Sequence, residues 1–130
     1  MEIRDSHAET VRGAEHFTGD AWINHLVKPG GATSLGMQSV YFTPGARTHW
    51  HHHPEGQIIH VVAGVGRIQE RGGPVRTIRA GDTVITPPGE WHWHGASPDS
   101  AMTMIAVQGA DGNGEVVLWG EPLSDRDYRA

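Results

Sequence analysis

Three histidines and a glutamine are set apart by the chemistry their types allow: His51, His53, Gln57 and His92. The first three lie in one stretch, Gly45-Ala46-Arg47-Thr48-His49-Trp50-His51-His52-His53-Pro54-Glu55-Gly56-Gln57. The fourth closes Gly81-Asp82-Thr83-Val84-Ile85-Thr86-Pro87-Pro88-Gly89-Glu90-Trp91-His92. Imidazole nitrogens and amide oxygens are ligands for divalent transition metals. Strand side chains alternate between faces, which points His49, His51 and His53 one way and His52 the other. Gln57 follows the turn Pro54-Glu55-Gly56, so its phase starts afresh, with Ile59 and Val61 on its face. His92 and His94 share a face that Trp91 and Trp93 do not. A His-x-His pair, a side chain from its hairpin partner and one from a later strand can together surround an ion. Two inward histidines in a small barrel are costly to bury without a partner, which favours ligation at His51 and His53 over a plain polar run. His7, His16 and His25 read as ordinary surface residues, and His60 as a structural residue facing away from Gln57.

The elements that must position these groups are strands. Residues 1–15 read as a loose arm, and 17–27, with Trp22, Ile23, Leu26 and Val27, as a first strand. The segment 35–43 ends at the turn pair Pro44-Gly45. The run 57–63 is dense in Ile and Val and stops at Gly64, and 66–71 ends at the hairpin signal Gly72-Gly73-Pro74. Strands at 75–79 and 83–86 flank Ala80-Gly81-Asp82, and 91–95, 101–108 and 115–119 complete the set. Ser124-Asp125-Arg126-Asp127 can cap a short helical turn running through Tyr128. The class is all-β, with turns at the spacing of a barrel or sandwich.

A chain of 130 residues implies one domain, 1–130, with room for a single core. Its 18 Gly and 8 Pro suit many short strands. The net charge is -5 and no Lys/Arg cluster exists, which argues against nucleic-acid and membrane-surface partners. Without cysteine there is neither a disulfide framework nor a thiolate metal site. The polar N-terminus offers no signal peptide and no stretch has the apolar length of a membrane span, so the expectation is a soluble cytoplasmic protein.

Gly45, five residues, His51-x-His53, three residues, Gln57, six residues, Gly64 is similar to the first motif of the cupin family. Gly81, five residues, Pro87-x-Gly89, two residues, His92 is similar to the second. The resemblance implies a small jelly-roll β-barrel, a metal held inside it, and a homodimer or higher homo-oligomer. Gln57 stands where the family's first motif usually has Glu, and Ala96 where its second usually has Asn. The chain is more similar still to the small manganese cupins that include bacterial hydroxynitrile lyases, through Phe17-Thr18-Gly19, Pro44-Gly45-Ala46-Arg47-Thr48, His92-Trp93-His94-Gly95-Ala96, Ala101-Met102-Thr103 and Tyr128-Arg129. That likeness implies His51, His53, Gln57 and His92 as the ligand set. Lyases of this group carry a histidine, thought to act as base, where this chain has Met104. Gln108 matches a glutamine lining the lyase pocket, and Gln38 and Val40 fall on pocket-facing positions.

Three neutral imidazoles and a neutral amide leave a divalent cation its full charge, which favours Lewis-acid work on an oxygen and capture of an anion. Mn2+ is the first expectation, with Fe2+ and Zn2+ as alternatives. His49 and His94 are the candidate bases, and Gln108 the group that orients a small-molecule substrate. Val40, Phe42, Ile59, Val61, Met102, Met104 and Ala106 supply apolar walls or plain core. Trp50, Trp91, Trp93 and Trp119 read as packing or dimer contacts. Three functions stay open: a metal-dependent lyase of hydroxynitrile-lyase type, an Fe2+ dioxygenase, and a non-catalytic metal- or small-molecule-binding protein.

Overall fold

Alternation of apolar and polar residues along short strands rolls the chain into a nearly closed antiparallel barrel. The computed structural model describes residues 1–5 and 9–130; residues 6–8, and with them His7 and part of the expected arm, lie outside the described residues. The strands are β1 (Thr10–Gly13), β2 (Phe17–Thr18), β3 (Ala21–Val27), β4 (Leu35–Phe42), β5 (Arg47–Thr48) and β6 (His51–His52). They continue as β7 (Gln57–Glu70), β8 (Arg76–Arg79), β9 (Thr83–Thr86), β10 (His92–Ala96), β11 (Met102–Gly109) and β12 (Leu118–Trp119), before the helix α1 (Asp125–Arg129). Neighbours run β1-β3-β4-β11-β7-β10-β5-β2, with β8 and β9 also on β7, and β6 on β10 and β12.

One strand ties the barrel together. The first part of β7 pairs with β11 and β9, and its last part with β10 and β8. The bend falls at Gly64, whose φ of 82° is left-handed, and a Cβ there would lie 1.9 Å from the Ala101 carbonyl oxygen. The glycine read as a strand stop is thus a corner inside one continuous strand. Three other expectations also shift. The arm contains β1, paired with β3 from Thr10↔Asn24 to Gly13↔Ala21. The first predicted strand is broken at Gly19, where a Cβ would meet Ala46 Cα at 2.9 Å. Of residues 115–119 only Leu118–Trp119 pairs, with β6.

Inside the barrel, Phe42, Ile59, Val61, Met102, Met104 and Ala106 form the core. Each large apolar side chain so buried contributes about 1.5–3 kcal/mol. Outside it, Trp93, Leu123 and Tyr128 make a second cluster. Ser124 caps α1, its Oγ accepting from the Asp127 N–H at 3.1 Å. The Tyr128 hydroxyl donates to the Ala96 carbonyl at 2.6 Å, and the buried Arg47 guanidinium lies 4.5 Å over its ring. Arg47 also donates to the Leu123 carbonyl and to the Asp125 carboxylate, fixing the helix to the barrel wall.

Candidate functional site

His51 faces His92 across the β6–β10 pair, while Gln57, the first residue of β7, stands opposite Gln108 of β11. His53 lies just beyond β6. The three imidazoles crowd together: ring centroids are 4.3 Å apart for His51–His92, 5.1 Å for His51–His53 and 5.7 Å for His53–His92. One ring nitrogen from each of the three lies within 4.8 Å of the others.

Backbone carbonyls fix the state of these rings. His51 Nδ1 donates to His49 O at 2.9 Å, His53 Nδ1 to Val116 O at 2.8 Å and His92 Nδ1 to Glu90 O at 3.0 Å. A carbonyl only accepts, so each Nδ1 carries the proton and each Nε2 is left with a bare lone pair. Among the described residues His53 Nε2 is buried without a partner. Burial, followed by the charges of His92, His94 and His53, holds His51 well below the ordinary imidazole range. Burial likewise lowers His92, and takes His53 to about 4. Three neutral, oriented imidazoles with free lone pairs fit a divalent cation.

Gln57 stands beside them. Its Oε1 faces His92 Nε2 at 3.1 Å, two lone pairs aimed at each other, which a cation between them turns from repulsive to favourable. That orientation is held from behind. Gln57 Nε2 donates to Gln108 Oε1 at 3.2 Å, and Gln108 exchanges a reciprocal pair of amide bonds with Gln38, at 3.1 and 2.8 Å. A chain of three amides thus runs from the histidines outward.

Over the cluster opens a cavity of about 440 Å³. Its apolar wall includes Val40, Phe42, Met104, Val116, Val117 and Trp119, its polar strip is Gln38, Gln108 and Gln57, and the exposed His25 and Lys28 lie on its rim. His94 lines it too, fully buried, its ring centroid 5.2 Å from that of His51, with both ring nitrogens unpartnered among the described residues. Burial, then the charges of His92 and His53, hold its pKa well below the ordinary value.

Every expected ligand and every expected pocket residue is therefore brought to one place, with one exception among the candidate bases. His49 does not line the cavity. Residues 49 and 50 lie between β5 and β6, outside any strand, so the alternation that would turn His49 inward is interrupted. Its ring lies 6.1 Å from that of His16, and its contribution to the site is the carbonyl that orients His51. Ile59, Val61, Met102 and Ala106 are core and do not reach the cavity. Trp119, read as packing, instead lines it, 4.7 Å from the His51 ring and stacked at 4.4 Å on His16. His25, read as surface, is exposed and lies on the rim: it keeps the phase of Ala21 and Ile23 and pairs with Gln38, and the β3–β4 register shifts only after it, between His25 and Val27.

Known proteins match this arrangement over the whole chain. A protein described as an (R)-mandelonitrile lyase, from Granulicella tundricola, is 44% identical over 131 residues, covering 99% of each chain. A cupin-like protein of Thermotoga maritima, solved by crystallography, superposes with a TM-score of 0.87 at 38% identity, over 97% of this chain and 96% of that one. Part of the chain, 61%, is 37% identical to 22% of a gentisate 1,2-dioxygenase from Aquipseudomonas alcaligenes. A model of the cupin domain matches residues 38–108, which hold the histidine cluster, the amide chain and the bend of β7. With barrel, motifs and full-length relatives in agreement, the chain belongs to the cupin family.

Proposed function

We propose that this protein is a metal-dependent lyase that breaks or forms a C–C bond next to the hydroxyl or carbonyl of a small organic molecule. The observation that carries this reading is the convergence of three imidazole nitrogens and the Gln57 carbonyl, with His51, His53 and Gln57 on the floor of a largely apolar cavity and an unpartnered His94 beside them. The full-length similarity to a protein described as a mandelonitrile lyase supports it. His51, His53, Gln57 and His92 would hold the cation, with Mn2+ first and Fe2+ or Zn2+ as alternatives. A divalent cation there supplies Lewis acidity to a substrate oxygen.

The residues around that floor do the rest. In the cleavage direction His94 takes the hydroxyl proton while the C–C bond breaks; the oxygen becomes a carbonyl and the leaving carbanion, cyanide for a cyanohydrin, departs with the bonding pair and collects the proton. Met104, at the position of the lyases' histidine, accepts no proton and packs as wall. Gln108, already bonded to two glutamines, presents the edge along which substrate lies. Phe42 and Trp119 supply the apolar wall beside the floor.

Aldehyde release from mandelonitrile by Mn2+-loaded protein tests this, with His51→Ala as the blank for spontaneous decomposition. Release above the blank is expected, and release equal to it would refute the reading. The partial match to a dioxygenase favours a second reading, an oxygen-using enzyme, which oxygen uptake by the Fe2+-loaded protein on phenolic acids would reveal. We further propose that a second copy covers the outer face of the sheet β3-β4-β11-β7-β9, where Trp22 pairs with Tyr41 and Ile58 with Ile85, all exposed, as is Val62.

A further inference from the structure

The cavity is chemically one-sided. Among the described residues that line it, none is an aspartate or glutamate, whereas its rim carries Lys28 and His25. The rim is joined to the amide chain by position. His25 pairs in register with Gln38, and Gly36 sits between Pro29 and Gln108: a Cβ there would come within 3.1 Å of Pro29 Cδ and 3.3 Å of Gln108 Nε2. The glycine thus lets the Lys28-Pro29 segment fold down over the Gln38–Gln108 pair. In that pair each amide nitrogen spends one hydrogen on its partner, leaving a second on each. The segment bearing His25 and Lys28 thus lies at the Gln38–Gln108 end of the polar strip, and the histidine cluster stands at the other.

We propose that the substrate of this site is an anion, a small hydroxy or keto compound bearing a carboxylate remote from its reacting oxygen. The reacting oxygen lies at the histidine cluster and the carboxylate at the rim, against Lys28 and the outer hydrogens of Gln38 and Gln108; the apolar wall takes the carbon skeleton between. This rests on the lyase reading for the reacting end only. A neutral cyanohydrin leaves the rim donors without an acceptor, and a carboxylate supplies one.

A matched pair of ligands tests it: 4-formylbenzoate and its methyl ester, which share a skeleton and an aldehyde and differ in charge at the far end. Dissociation constants are measured by calorimetry on the Mn2+-loaded full chain and on chelator-treated protein, for wild type, Lys28→Met and Lys28→Glu. The acid is expected to bind about fivefold tighter than the ester to wild type, with parity in Lys28→Met and the ester preferred in Lys28→Glu. High salt should shrink the wild-type preference. Ester binding as tight as acid, no acid binding at millimolar concentration, or a preference unchanged in both Lys28 variants would overturn the proposal. The two readings fail separately: protein that takes up no metal ends the lyase reading, while the rim's preference remains measurable on the metal-free chain.

Discussion

With Gln57 as the proposed fourth ligand, a neutral set would place unusual weight on a single amide, because a carboxylate at position 57 binds a cation through either oxygen whereas a glutamine has one correct face. Gln108→Leu removes the acceptor of Gln57 Nε2 and frees that amide to turn its nitrogen toward the cluster. Metal affinity of the chelator-stripped protein should weaken about 10–100-fold by calorimetry. Wild-type affinity in this variant would mean that Gln57 is held by something else. His94→Phe keeps the shape of a buried ring and removes both nitrogens. Turnover should fall about 100- to 10,000-fold while metal content stays at the wild-type level. Retained turnover would exclude His94 as base. That His51, His53 and His92 lie together was legible from spacing, since a His-x-His pair and a later histidine on a neighbouring strand face one way by alternation. His49 was not, because two residues outside any strand break that count.

At the level of elements, the sequence showed where strands lie better than how they join. The Gly72-Gly73-Pro74 signal and the Ala80-Gly81-Asp82 turn fall where β7, β8 and β9 meet. Gly64 looked like the same kind of signal, yet it bends one strand from one set of partners to another, and local composition does not distinguish a corner from a stop. Gly64→Ala therefore brings two costs at once, a left-handed φ and a Cβ pressed into the Ala101 carbonyl. A loss of at least about 1–3 kcal/mol in denaturant melts is expected, and an unchanged midpoint would show that the bend relaxes freely. The β3–β4 bulge is the other illegible element. It falls just after His25, before Val27, and only the register of the partner strand reveals it.

For the whole molecule, the buried histidines tie stability to pH. In the unfolded chain imidazoles titrate near 6.5, while burial holds His51, His53, His92 and His94 below that, His53 at about 4. Above the unfolded value both states are neutral at these sites and the fold keeps its full stability. As pH drops below it, the unfolded chain takes up protons that the folded chain refuses, so stability is lost progressively toward pH 4. Thermal melts of chelator-treated protein should show a midpoint that falls over this range and is level above it. A constant midpoint throughout would mean that the rings are solvated in solution. Among the described residues no helix is long and apolar enough to cross a membrane. The proposed covering of the exposed apolar sheet face makes its own prediction: wild-type protein should sediment as a dimer and Ile58→Asp as a monomer, and a monomeric wild type would overturn it.

The strand shared by both sets of partners also governs the order of assembly. Because β7 pairs with β8, β9, β10 and β11, much of the barrel waits on it, and most of those pairings close long loops. Such chains fold on the slow, millisecond-to-second scale. Gln57 opens that strand, so its side chain acquires its place beside the histidines only when the barrel around it has closed. A cation held by Gln57 and the three histidines would therefore recognise the finished molecule and no earlier form of it, and its binding would draw the population toward the native state without guiding the route.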